Sequence, residues 1–239
     1  MQAGTRELLI LKERLSQVFE KVYDSLKDKR ITNRTLDNQV LTILRQCTIK
    51  EEDFEMHFSE PRDEIYTVEG GRTPYDVLCC GKVNNKRFRA FINNKFGDIY
   101  SSTRNDVTTY NNLLRLYLSI KEQRLTHEIT LNKRIIYDRI AGNEILTYAM
   151  FVVDRRKRGY RFFLLEEVAD DFYVNPRNTM FQVRYSPQLR DPRSFYDFVI
   201  ELINATVKAL ETSLRATQTE ISILKYIKIE LTKIKEGHI

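Results

Sequence analysis

Thr73-Pro74-Tyr75-Asp76-Val77-Leu78-Cys79-Cys80-Gly81-Lys82-Val83-Asn84-Asn85-Lys86-Arg87-Phe88-Arg89-Ala90-Phe91-Ile92-Asn93-Asn94-Lys95-Phe96 is the stretch on which the fold turns. Residues 75–80 and 87–96 are rich in Val, Tyr, Phe and Ile, and the polar residues 81–86 between them predict a β-hairpin with its turn there. Side chains alternate faces along a strand, so Asn93 and Lys95 share one side while Ile92, Asn94 and Phe96 take the other. Asp76 lies near the start of the partner strand. A carboxylate, an amide oxygen and an ammonium can therefore meet at one point.

Oxygen donors of this kind suit a hard divalent cation, Mg2+ with Mn2+ as a substitute. Asp76 would bind through its carboxylate, Asn93 through its side-chain oxygen and Asn94 through its backbone carbonyl. Lys95 would position the attacking water, help to remove its proton, and offset charge on a phosphodiester in the transition state. The order Pro-x-Asp, sixteen residues from Val77 to Ile92, then Asn-x-Lys resembles the PD-(D/E)xK nucleases, the fold family of many type II restriction endonucleases. The resemblance covers the hairpin and the residues just after it. It implies a sequence-specific double-stranded DNA endonuclease in which Asp76, Asn93 and Lys95 are catalytic. In-line attack of water on phosphorus, with the sugar 3′ oxygen leaving, is the reaction it implies.

The chain departs from the family pattern at Asn93, where the second acid would stand. A neutral amide binds a cation less strongly than a carboxylate, so an upstream acid, Glu55, Glu60 or Glu64, is a candidate to help. An Asp and a Lys at this separation also occur as solvated surface charges. A second hypothesis therefore stands beside the enzyme: a noncatalytic DNA-binding or oligomeric assembly protein with a degenerate nuclease site.

The chain has 239 residues and a net charge of +6, with a sequence pI near 9.1, a basic balance that fits a phosphate-bearing partner. Charged residues make up 30% of it, and no apolar run approaches the roughly twenty residues that span a bilayer. The N-terminus lacks a basic region followed by an apolar block. A soluble, cytoplasmic protein with no membrane association is expected. Cys47, Cys79 and Cys80 and His57, His127 and His238 form no metal-ligand or nucleophile pattern. The absence of a Gly-x-x-x-x-Gly-Lys-Ser/Thr loop disfavours a nucleotide-driven motor.

Leu8, Leu11, Leu15, Val18, Phe19, Val22 and Leu26 recur at helical spacing and predict an amphipathic helix over residues 5–29. A second helix is expected over 36–46, capped by Asn33 or Thr35. The acid-rich residues 48–72 read as a solvated face or loop, ending in a turn at Gly70-Gly71. Residues 97–109 read as a loop in which Ser101, Ser102, Thr103 and Arg104 could contact DNA phosphates, leading into a helix over 109–123. Residues 124–143 alternate basic and apolar positions without a firm assignment. A second hairpin, 145–154 with 160–168, carries Arg155, Arg156, Lys157 and Arg158 at its tip, either to grip DNA or to solubilise the turn.

A third strand at 179–185 and a polar turn at 186–193 follow. Residues 194–235 are helical in pattern, as one long helix or as two broken near 215–219. Their apolar stripe suggests the subunit interface of a homodimer, which would suit cutting both strands of a palindrome. The expected fold is α/β: a central mixed β-sheet flanked by helices, a restriction-endonuclease-like core, with long N- and C-terminal helices. One domain is expected over 1–239, with N-terminal helices in 1–50, the sheet core in 64–190 around the catalytic hairpin 74–96, and a C-terminal helical arm in 192–236.

Overall fold

The computed structural model describes residues 5–61, 74–118, 144–156, 158–169, 173–213 and 218–237. Its centre is a six-stranded sheet in the order β1-β2-β3-β4-β6-β7, formed by β1 (Ile49–Lys50), β2 (Phe54–Ser59), β3 (Val77–Val83), β4 (Lys86–Gly97), β6 (Glu144–Asp154) and β7 (Tyr160–Leu164). All neighbours are antiparallel except β4 and β6, which run parallel from Arg87↔Glu144 to Gly97↔Asp154. Parallel strands are normally covered on both faces, which accounts for the nearly unbroken burial of β4 and β6. The expected mixed sheet flanked by helices is what the chain forms.

On one face lie α1 (Thr5–Leu26) and α2 (Leu36–Leu44). The seven apolar residues of the α1 stripe are all buried, against Phe54, Met56, Phe88, Ile92, Phe151 and other sheet residues. Each contributes about 2 kcal/mol of apolar burial, so the packed face rather than local propensity fixes this helix. The opposite face, through Tyr75, Leu78, Phe91, Tyr148, Met150 and Val152, packs on α3 (Tyr110–Tyr117), α4 (Phe195–Glu211), α5 (Gln218–Lys235) and a small sheet in the order β5-β9-β8. That sheet comprises β5 (Arg104–Thr109), β8 (Tyr173–Val174) and β9 (Met180–Arg184).

Three expectations change. The hairpin turn is Asn84-Asn85 alone, both at positive φ (48° and 63°), the backbone of a two-residue turn that asparagine tolerates. Gly81 instead sits inside β3 opposite Phe88 and Met56, because a β-carbon there would land on the Glu55 carbonyl. The segments read as loops hold strands: β1 and β2 within 48–72, and β5 within 97–109. β2 does carry a strand signal, Phe54, Met56 and Phe58 alternating inward among the acids, whereas β1 has two residues and β5 a single apolar one, Val107, and each of these is formed by its ladder bonds. Residues 194–235 take the two-helix arrangement of the two expected, and what changes is the use of their apolar stripe: α4 and α5 pack on each other, with Lys225 paired to Glu211 at 2.9 Å and Lys235 to Asp197. Their stripe, including Phe198, Leu202, Ile203, Leu224, Ile227 and Leu231, is buried within the chain.

The second hairpin forms as expected, although its outer strand ends at Leu164 in one turn of 3-10 helix, Leu165–Glu167. Residues 124–143 and the far end of the 109–123 helix lie outside the described residues, as does Gly70-Gly71. No helix among the described residues is long and apolar enough to cross a membrane. Gly81→Ala is expected to lower stability by about 2 kcal/mol or more, because the strand backbone must move. Denaturant titration checks it, and an unchanged midpoint would show that β2 and β3 are not this close.

Candidate active site at the end of the hairpin

Asp76 precedes β3 and is tied to β4 twice. Its backbone N–H donates to the Ile92 carbonyl at 2.8 Å, and its Oδ2 accepts from the Asn94 backbone N–H at 2.7 Å. The hairpin register, with Val77 opposite Ile92, thus delivers the carboxylate to the centre of the Asn93-Asn94-Lys95 run. The Asn94 side chain extends from the other face and donates through Nδ2 to Asp37 Oδ1 at 3.2 Å. Asp37 lies in the first turn of α2.

Residue 94 therefore bridges two carboxylates. Withdrawal from water pushes the Asp76 pKa up to about 7, and the Asp37 carboxylate adds to the rise; the Asn94 N–H and the Lys95 ammonium oppose it. Asp37 is also raised, first by burial, with Asn94 and Lys95 pulling it down. Lys95 is half-buried and has no ion pair among the described residues, yet its charge reaches both acids. The structure brings Asp76 and Lys95 together, as the strand alternation requires.

Asn93 is 4% exposed and faces the opposite core. Its Nδ2 donates to the Tyr148 hydroxyl at 2.8 Å and, weakly, to the Val107 carbonyl at 3.4 Å. The side-chain oxygens of Asn93 and Asn94 are both buried and accept no hydrogen bond. Orphaned buried acceptors are costly; the two oxygens lie on opposite faces of β4, and a cation beside Asp76 would satisfy that of Asn93. Among the described residues no three His, Cys, Asp or Glu side chains cluster as a metal site. A hard cation here would be held by two carboxylates supplemented by amide and backbone oxygens, a set that fits Mg2+ or Mn2+.

The upstream acid beside Asp76 is Asp37, which sequence reading did not single out. Glu55 stands opposite Lys82, six residues along β3 from Asp76 or about 20 Å. Glu60 pairs with Arg45 at 2.6 Å, and Glu64 lies outside the described residues. A signal for Asp37 exists: it precedes the buried Leu41 and Leu44 by four and seven residues, so helical geometry turns it inward.

No family model matches the chain. It is 59% identical over 232 residues to the type II restriction enzyme MjaIV of Methanocaldococcus jannaschii, a match covering 97% of this chain and 95% of the relative. The chain belongs to the type II restriction enzymes.

In this restriction enzyme the two segments singled out for DNA meet beside β4. Arg158 is held by the buried Asp154 at 2.9 Å, reaches Asp98 at 3.4 Å and lies 4.2 Å over the Tyr100 ring. That joins the basic tip to the loop carrying Ser101, Ser102 and Thr103. Ser101 Oγ accepts from the Thr103 N–H at 3.1 Å, while Arg104 begins β5 and lies over Tyr173. Arg155 and Arg156 are exposed without ion pairs among the described residues, and Arg155 Nε donates to the Phe96 carbonyl at 3.2 Å. Lys157 lies outside the described residues. A groove of about 460 Å³ opens here, lined by Ile31, Thr32, Asn33, Arg34, Phe96 and Arg155.

An acid whose folded pKa lies above its unfolded value holds its proton more tightly in the native state. Such a group costs stability progressively as pH rises from 3.8 towards about 7, and the full cost persists above that range. The metal-free restriction enzyme carrying Asp76→Asn is therefore expected to melt above its parent at about pH 8, with the difference shrinking towards about pH 5. Thermal melts across pH check this; a pH-independent difference would remove Asp76 from the set of strained carboxylates.

Proposed function

We propose that the protein is a sequence-specific double-stranded DNA endonuclease of the PD-(D/E)xK kind, acting in the cytoplasm as a homodimer. The observation that carries the catalytic assignment is the convergence of Asp76, Asp37 and Lys95 around Asn94, from the residue before β3, from α2 and from β4, in a type II restriction enzyme. Asp76 and Asp37, the Asn93 side-chain oxygen and the Asn94 backbone carbonyl would hold Mg2+, or Mn2+ in its place. A bound divalent cation supplies Lewis acidity and neutralises phosphate charge.

The chain's own groups do the rest. The Asn94 N–H fixes Asp76, Lys95 orients the attacking water, and its charge offsets the negative charge gathering on the phosphoryl oxygens. Water attacks phosphorus in line and the bond to the sugar 3′ oxygen breaks. Arg34 and Arg155, on opposite elements of the groove beside Phe96, are placed to take phosphates flanking the scissile one, with Arg156, Ser101, Ser102, Thr103 and Arg104 extending the contact. A two-fold pair of subunits presents one such site to each strand of a palindrome. The stripe of α4 and α5 is buried within the chain, so the subunits would pair through another surface.

The noncatalytic alternative draws on Asn93 standing where an acid is usual. Asp37 supplies a second carboxylate by another route, which favours the enzyme. Incubation with plasmid DNA and Mg2+ is expected to give discrete fragments, with Lys95→Ala slower by about a hundredfold or more and Asp37→Asn also impaired. No cleavage by the parent with Mg2+ or Mn2+ over varied substrates would leave the binding protein. Arg34→Ala and Arg155→Ala are each expected to weaken DNA binding across sequences and to lower the salt dependence by about one counterion. Unchanged salt slopes would take the groove out of the DNA path.

A further inference from the structure

Tyr148 stands on β6, fully buried, on the face of the central sheet that Asn93 enters from β4. A phenol has one proton, and that of Tyr148 goes to the Pro74 carbonyl, which can only accept. Towards Asn93 the hydroxyl therefore presents lone pairs. The second polar neighbour of the Asn93 side chain, the Val107 carbonyl, is also an acceptor. Both neighbours demand a donor, so the amide nitrogen must face them, and the oxygen is left buried without a hydrogen bond. The Tyr148 hydroxyl also lies near enough to Asp76 for that carboxylate to act on it.

We infer that Tyr148 is the positioning residue of the cation site: its hydroxyl, locked onto Pro74, orients the Asn93 amide so that the side-chain oxygen serves as a ligand. The same lock explains why an amide occupies this position. A carboxylate at residue 93 would face the Val107 carbonyl, could gain the Tyr148 proton only by taking it from the Pro74 carbonyl, and would share a buried space with Asp76, so it would be a costly charge rather than a better ligand. Asn93 is thus the residue this pocket selects, a ligand traded for a defined orientation. Pro74 takes part through its carbonyl, a role the side chain does not announce.

This deepens the endonuclease reading and rests on its cation site, so the test reads cation binding apart from cleavage. Mn2+ affinity of the full-length protein without DNA, by titration calorimetry, is measured for the parent, Tyr148→Phe, Asn93→Ala and the double variant, each checked by thermal melting. Tyr148→Phe is expected to weaken Mn2+ about tenfold or more, the usual effect of losing a partner that orients a ligand. In the Asn93→Ala background the same change should do nothing further. Equal losses in both backgrounds, or no loss in the first, overturn the assignment.

Asn93→Asp gives an independent arm if Tyr148→Phe does not fold. It is expected to lower the melting point of the metal-free protein and to bind Mn2+ no more tightly than the parent. Tighter binding by Asn93→Asp would show that the pocket accepts a carboxylate and would overturn the inference. Absence of Mn2+ binding by the parent itself would strike the underlying site, and with it this inference.

Discussion

The structure depends on the parallel pairing of β4 with β6. It sets β4 inside the sheet, where helices cover one face and helices with the small sheet cover the other, so each polar group along the strand must find a partner or remain a cost. Asn93 and Asn94 sit in the middle of that constraint. Each uses its amide nitrogen, one towards Tyr148 and one towards Asp37, and each leaves its oxygen unmet. Two adjacent buried asparagines with free oxygens, one facing each side of the strand, are poor for a core and apt for a ligand.

The electrostatics have the same origin. Asp76 and Asp37 are brought near one another by hydrogen bonds to residue 94, and their mutual repulsion adds to the penalty of burial, with a single lysine as partial counterweight. A site of this kind holds more negative potential than its own chain balances. In the proposed reading that imbalance would favour a cation first and, with the cation bound, a phosphodiester next. The second core layer stiffens the support: the buried Glu166 accepts from Tyr117 and Thr147 at 2.8 Å each, and the Tyr117 hydroxyl in turn accepts from the Tyr148 backbone N–H. Tyr148 is therefore fixed through both its main chain and its hydroxyl, which keeps the Asn93 amide from turning.

The basic tip shows how a run of like charges divides its duties. Arg158 is held by Asp154 and Asp98, and the buried Asp154 also accepts the N–H groups of Arg156 and Arg158, so part of the run folds the tip rather than reading DNA. Arg155 and Arg156 are left to face outward. Composition cannot make that division, because it depends on which carboxylate each guanidinium meets across the fold.

By itself the sequence determined the hairpin, the α1 stripe, and the placing of Asp76 and Lys95 on neighbouring strands, because alternation along strands and helical spacing are local rules that need no distant partner. It also pointed to the restriction-enzyme core through the Pro-x-Asp and Asn-x-Lys spacing. Only the tertiary structure decided that Asp37 lies beside Asp76, that Gly81 belongs to a strand, that β1, β2 and β5 exist, and that the C-terminal stripe folds back on the chain. Each of these is set by contact between residues far apart in the chain, where burial and hydrogen-bond partners outweigh local preference. Tyr148 belongs with them, since no spacing connects it to Asn93 until the parallel strands lie side by side.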